Sequence, residues 1–318
     1  MNMKKSLGDF RIPMGSFAKR AMNMSTVVAA RPLPENRISL VFRFAMLLPG
    51  GLVTFFLILF ALGLVVFLAF RGNDGSLLGV GLTAENFLAV ATDPLYWTVT
   101  LRSLVIAGLV TLATVVTAYP VAYYLAFHAG RRRNLLLFLV TLPFWTSYLL
   151  RVFAWKIVLA YNGVLNSAFI ETGLWKEPTL AFLNTPAAVV VTLAHAYAPF
   201  AILPIYVALD TIPKSLLEAA SDLGARPFTS FRRVVLPNSM PGVLAAALVV
   251  FVPTVGDYVT PAMVGGPAST MIGTLIQSQF GKANDWPFGA ALSVCVMLVI
   301  LCVVLVARGA DRRFGSRT

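Results

Sequence analysis

Long apolar runs alternate with short charged connectors along this chain. A membrane-crossing helix needs about 20 mainly apolar residues, and six stretches meet that requirement. The first runs from Phe44 to Phe70 without a charge, between Arg43 and Arg71. The second runs from Trp97 to Phe127, with Arg102 near its start and Pro120 near its end. The third is predicted from Leu135 to Leu159 and holds Arg151 and Lys156 in its outer part. The fourth, Ala187 to Leu209, contains His195, Pro199 and Pro204. The fifth, Pro241 to Val264, contains Pro253, Gly256, Asp257 and Pro261. The sixth runs from Phe288 to Ala307.

The connectors carry an uneven charge. Residues 1–43 hold eight Lys or Arg: Lys4, Lys5, Arg11, Lys19, Arg20, Arg31, Arg37 and Arg43. The second-to-third connector adds Arg131, Arg132 and Arg133, and the fourth-to-fifth adds Lys214, Arg226, Arg232 and Arg233. The final stretch adds Arg308, Arg312, Arg313 and Arg317, whereas the opposite connectors hold only Arg71, Lys176 and Lys282. Basic residues accumulate on the cytoplasmic side of a membrane, so both termini are expected there. This divides the chain into a basic cytoplasmic tail at 1–43, a membrane domain at 44–308 and a basic cytoplasmic tail at 309–318. The first tail lacks an apolar period and is too long for a signal-peptide n-region. Met14, Met22 and Met24 are alternative starts within it.

Composition sharpens this picture. The chain is 58% hydrophobic and 12% charged, with a mean hydropathy of +0.81. Soluble domains carry about 25% charged residues, so a soluble fold is excluded. The net charge of +12 sits beside apolar spans rather than on one face, which argues against nucleic acid as a partner. Cys295 and Cys302 lie seven residues apart in one span. A helix separates them by about 10 Å, too far for a disulfide, and they read as small hydrophobes.

The connector between the fourth and fifth spans, 210–240, breaks the apolar pattern. Two helix starts compete there: Pro213 suits a first helical position, while Ser215 and Glu218 have the spacing of a capping box. Either start gathers Leu216, Leu217, Ala220 and Leu223 on one side of a short helix. Gly224 is a natural terminator because it tolerates a positive φ. Pro227 opens a second short helix with Phe228, Phe231 and Val235 spaced for one face. Helices of two turns have little stability alone in water, so these need something to pack against, either their own membrane domain or a cytosolic partner.

At this connector the sequence resembles a known family. Glu218-Ala219-Ala220, then Gly224, then Val234-x-Leu236-Pro237 is similar to the cytoplasmic "EAA" loop of ABC-importer permeases, with Val234 in place of isoleucine. The resemblance implies that the loop is a coupling helix seated in a groove of an ATP-binding-cassette ATPase dimer. Glu218, Ala219, Ala220, Gly224, Leu236 and Pro237 would be the docking residues. It further implies a second, similar permease subunit and a periplasmic solute-binding protein. Residues 143–151, 162–166, 255–266 and 284–290 resemble segments of the spermidine/putrescine branch, and the likeness spans residues 45–308.

No P-loop of the form Gly-x-x-x-x-Gly-Lys-[Ser/Thr] occurs, and no His or Cys cluster has metal-ligand spacing. The chain is therefore expected to bind no cofactor and to catalyse nothing itself, with ATP and Mg held by the partner subunit. Ionisable groups inside spans usually face a cavity or a partner. Asp257 lies sixteen residues after Pro241, about 24 Å along a helix. It is a candidate for the solute path, with Trp145, Tyr148 and Tyr258 offering aromatic faces to a cation. Alternatively Asp257 pairs with Arg151 or caps a broken helix. Arg151 and Lys156 are expected to snorkel at the outer end of the third span. His195 is expected to be hydrogen-bonded in the bundle, with a proton relay as the other role.

The expected architecture is all-α and integral to the bacterial inner membrane, with six transmembrane helices and short coupling helices between the fourth and fifth. The expected function is the permease subunit of an ATP-driven importer, most simply for a polyamine. An amino-acid-like or opine-like solute is the alternative within that class. A stand-alone secondary transporter would rely on Asp257 and His195 for ion coupling and leaves residues 218–237 without a role. A membrane enzyme lacks any catalytic constellation.

Overall fold

The computed structural model describes residues 40–72 and 81–315, with side chains described for 48–72 and 81–306. The predicted tail at 1–43, with its alternative start methionines, lies outside the described residues up to position 39, as do residues 316–318. The chain divides into two compact units, Met1–Ala61 and Leu62–Thr318.

Among the described residues, six helical stretches are long and apolar enough to cross a membrane: Leu48–Ala69, Pro94–Phe127, Tyr148–Glu171, Pro186–Asp210, Pro227–Val255 and Trp286–Val306. The first belongs to a helix that begins at Leu40, four residues before its predicted start. Its large side chains, among them Phe55, Phe56 and Phe60, are exposed, as suits a lipid-facing helix. The sixth helix continues to Gly315, so most of the predicted tail at 309–318 is helical. Cys295 on this helix is half-buried and Cys302 is exposed, and both are free thiols.

The core of the second unit forms where the second, fourth and fifth spans meet. Val110, Ala118, Ala122, Leu193, Ile205, Leu209, Ala246 and Val250 are buried there. Lipid tails are as apolar as leucine, so helices in a bilayer associate mainly through close packing of small residues. Gly242 shows how tight that packing is. A Cβ added there would fall 2.3 Å from the Cβ of Ala208 and 2.7 Å from the Pro204 oxygen. The fourth and fifth spans touch backbone to backbone at this point. Buried hydroxyls bond back to their own helices, Ser103 to Val99 and Thr254 to Val250, which satisfies them without water.

The third span differs from the expectation of one helix over 135–159. It consists of a helix Arg133–Thr141, a 3₁₀ turn Leu142–Trp145, and a helix Tyr148–Leu159. Pro143 lies inside the turn, and Thr146 and Ser147 are extended. A proline cannot donate to the helical ladder; the α-helix gives way to the 3₁₀ turn at Pro143, while Leu142 itself stays helical, and the chain leaves helix at Thr146 and Ser147. A tight bend at Leu159–Gly163 follows, then the helix Val164–Glu171.

The fifth span also departs from its predicted bounds. The second connector helix opens at Pro227 as expected, then runs on through a π-helical turn, Phe231–Val235, into the helix Leu236–Val255. In the π turn the Leu236 N–H bonds to the Phe231 oxygen. The wider turn falls immediately before Pro237, where the ladder would otherwise lose a bond and meet the proline ring. At the other end the span stops at Val255, two residues before Asp257, and helix resumes only at Val259–Val264.

Candidate functional site

Two features stand out: the exposed connector helix and the break in the fifth span. The connector helix spans Lys214–Asp222, with Pro213 just ahead of it in an extended conformation. No side chain caps its N-terminus, so the Ser215–Glu218 capping box does not form, and Pro213 precedes the first helical residue rather than occupying it. The pyrrolidine ring presets the chain for the helix without a side-chain cap. The Glu218 carboxylate is left exposed.

The C-terminus of this helix closes as the sequence suggests. Gly224 has φ +76°; its N–H bonds to the Ser221 oxygen at 2.8 Å, and the Ala225 N–H bonds to the Ala220 oxygen at 3.0 Å. That pair of bonds is a Schellman motif, which ends a helix sharply and favours glycine. A Cβ on Gly224 would meet nothing within 4 Å, so this residue borders open space. Leu217 packs inward, while Leu216, Leu223 and Phe228 are exposed, Leu223 to 89%. Phe228 thus parts from Phe231 and Val235, which it was expected to join on one face. It lies ahead of the π turn, whereas Phe231 meets Tyr119 and Tyr123 edge-on at 5.8 and 6.0 Å between centroids. Glu218, Ala219 and Gly224 are exposed on the helix and its end. Leu236 and Pro237 stand apart from it, half-buried and exposed respectively, at the foot of the fifth span.

At the break in the fifth span, Asp257 is 8% exposed. Its Oδ1 accepts from the Val259 N–H at 3.1 Å, which caps the following helix. Its Oδ2 accepts from the Tyr148 hydroxyl at 2.9 Å. That hydroxyl also lies 2.6 Å from Thr260 Oγ1. With its one proton given to Asp257, Tyr148 accepts from Thr260. The break is held open by close contact with a neighbouring segment: a Cβ on Gly273 would fall 2.4 Å from the Gly256 oxygen. The Ile272 N–H donates to Ser103 Oγ at 2.7 Å, which fixes that segment to the second span.

Of the two alternatives weighed for Asp257 beside a solute role, helix capping is present and pairing with Arg151 is not. Among the described residues no Lys or Arg forms an ion pair with Asp257. Arg151 instead donates to the Ala196 oxygen at 3.0 Å and places its guanidinium 6.0 Å from the Tyr148 ring centroid. It turns inward rather than snorkelling, because the break at 142–147 sets the helix against the fourth span. Lys156 is exposed. His195 accepts at Nδ1 from Trp155 Nε1 at 3.1 Å, consistent with a hydrogen-bonded role in the bundle. Tyr258 is 46% and Trp145 83% exposed, so of the aromatic candidates only Tyr148 joins the carboxylate cluster. Thr260 was missed by sequence reasoning. The available signal was its position three residues after Asp257 in the same segment.

Among the described residues no group of His, Cys, Asp and Glu could hold a metal ion. The geometry suits binding instead. A carboxylate kept nearly dry, supplied with two hydrogen bonds and left without a cationic partner, can receive a positively charged group.

Residues 118–316 match the family described as the binding-protein-dependent transport system inner membrane component. The spermidine/putrescine transport system permease protein PotB of Escherichia coli K12 is 38% identical over 245 residues, 77% of this chain and 88% of the relative. The inner membrane ABC transporter permease protein YdcU of the same organism is 37% identical over 241 residues, covering 71% of this chain and 76% of the relative. In fold, the chain is similar to a bacterial ABC transporter involved in import of the acidic polysaccharide alginate. That similarity has a TM-score of 0.66 at 20% identity and covers 86% of this chain and 95% of the solved one.

Proposed function

The chain belongs to the inner-membrane components of binding-protein-dependent transport systems, and on that premise we propose that it is the permease subunit of an ATP-driven importer for a polyamine. The family makes it a multi-pass protein of the inner membrane with a transport role rather than an enzymatic one. The solute, the partners and the orientation are our reading.

One observation carries the choice of solute: Asp257, buried at a helix break and without an ionic partner among the described residues. A polyamine is a flexible cation, and a carboxylate in a site of low dielectric attracts an ammonium far more strongly than water would allow. Tyr148 orients the carboxylate, and the exposed Trp145 and Tyr258 offer rings to a passing cation. The relative named for spermidine and putrescine supports the same solute.

The exposed helix Lys214–Asp222 would seat in the ATPase. Glu218, Ala219, Ala220 and Gly224 present a small, closely approachable surface, and the exposed Leu216, Leu223 and Phe228 would be covered on docking. The ATPase dimer would bind ATP and Mg. A second, similar permease would complete the pathway, and a periplasmic binding protein would deliver solute. The charge asymmetry places both termini and the docking helix on the cytoplasmic side. Alternating access then follows from movement of the docking helices as the ATPase closes.

Binding of spermidine and putrescine to the periplasmic binding protein that delivers to this permease tests the solute directly. Tight binding of either is expected. Failure of both, with an amino acid or opine binding instead, overturns the polyamine assignment and leaves the importer class standing.

A further inference from the structure

The third span lies along the fourth through side-chain contacts in antiparallel order. Arg133, the first residue of the helix Arg133–Thr141, forms an ion pair with Asp210, the last residue of the fourth span. Its guanidinium also sits 4.9 Å from the Tyr206 ring centroid. Further on, Phe144 meets Phe200 edge-on at 4.5 Å, and Arg151 donates to the Ala196 oxygen at 3.0 Å. Tyr148, between those two contacts, leaves the seam and bonds to Asp257.

Asp210 lies four residues before Lys214, where the exposed connector helix starts. The joint is not slack, because Ile212 within it is 6% exposed and belongs to the core. A displacement of the connector helix therefore reaches Asp210. The Arg133 guanidinium is the first group of the third span to meet it. The short helix behind Arg133 ends in the 3₁₀ turn from which Tyr148 emerges.

We propose that Arg133 and Asp210 are positioning residues that link the docking helix to the carboxylate site through the third span. This rests on the docking role proposed above. Both side chains of the pair are 37% exposed, and a pair so open to solvent adds little to stability. Its contribution is to fix where the third span stands relative to the docking helix. Tyr206 sharpens that position, since a guanidinium over an aromatic face is held in orientation as well as in place.

The test is uptake of labelled spermidine per ATP hydrolysed, in vesicles carrying the chain with its ATPase, companion permease and binding protein. The variants are Arg133→Gln, Asp210→Asn, Arg133→Lys and the charge exchange Arg133→Asp with Asp210→Arg. The first two should keep the ATPase bound yet lower uptake per ATP by about fivefold or more, the lower bound of ordinary inter-site coupling. Arg133→Lys and the charge exchange should recover most of the loss because both restore the ion pair, and a thermal midpoint and ATPase retention unchanged in the single variants separate lost coupling from a merely structural defect. Single variants that transport as well per ATP as the wild type overturn the link, and so does a charge exchange as poor as either single change. A wild-type chain that retains no ATPase removes the docking role itself and the link with it, whereas wild-type coupling with unaffected single variants removes the link alone.

Discussion

Tyr148 donates its phenolic proton to Oδ2 of Asp257 across 2.9 Å, joining the broken third span to the broken fifth. Tyr148 opens the helix that follows the first break, and Asp257 lies within the second. Pro143 stands at the first break and Pro253 and Gly256 at the second, and the hydrogen bond ties the two irregular segments together. Irregular backbone at membrane depth is tolerated where it is enclosed by protein or lines a cavity, and transporter sites are often built from such broken helices.

Replacing Asp257 with Asn keeps the shape and removes the charge. Polyamine uptake should fall at least about tenfold, since a hydrogen bond to a charged group contributes about 1.5–3 kcal/mol and the charge attraction is lost as well. The rate of labelled-spermidine uptake in vesicles measures this. Tyr148→Phe should give a smaller loss, because the carboxylate keeps its bond from the Val259 N–H.

Gly224 separates two effects. Its φ of +76° makes Gly224→Ala cost about 1 kcal/mol of local strain, with space for the methyl group. Gly224→Trp adds bulk where nothing in the chain is touched, so the fold should persist while co-purification of the ATPase is lost. Retention of the ATPase by the Trp variant would count against docking at this helix end.

Gly242→Leu attacks the contact of the fourth and fifth spans. With the Ala208 Cβ 2.3 Å from any added Cβ, the spans must separate. Overpacking of this kind costs about 1–3 kcal/mol or more. The thermal midpoint in detergent should fall by several degrees, whereas Gly63→Leu, on a helix with open space around that position, should leave it unchanged.

Ser103→Ala removes the acceptor for the buried Ile272 N–H. An orphaned buried donor costs about 1–3 kcal/mol, and Gly273 lies next to it against the Gly256 carbonyl. Both thermal stability and spermidine uptake should therefore drop, and a variant matching the wild type in both would show that the 272–278 helix does not brace the site.

Much of this was legible from the chain. Uninterrupted apolar length identifies spans, so the first, second, fourth and sixth helices fall within a few residues of expectation. Gly224 ends its helix as a residue suited to positive φ. Hydropathy cannot sense a lost backbone bond, so it outlines the third span as one helix despite Pro143, whereas in the fifth Pro253, Gly256 and Asp257 already admit a broken helix without giving its bounds. The Ser215–Glu218 capping box does not form because the helix begins at Lys214, which puts Ser215 already inside its first turn. The motif at 218–237 is visible in its spacing alone, but the partnership of Tyr148 with Asp257 joins residues 109 positions apart, and no local pattern encodes it. The inward turn of Arg151 was hidden for the same reason, since it depends on the break that sets its helix against Ala196.

ATP-dependent uptake of labelled spermidine tests the central claim most directly, with the wild-type chain and its Asp257→Asn variant reconstituted alongside the ATPase, the companion permease and the binding protein. Spermidine should accumulate only when ATP is supplied on the ATPase side, and the Asn variant should lose about nine-tenths or more of that uptake. Uptake without ATP, or equal uptake by both proteins, would contradict the account.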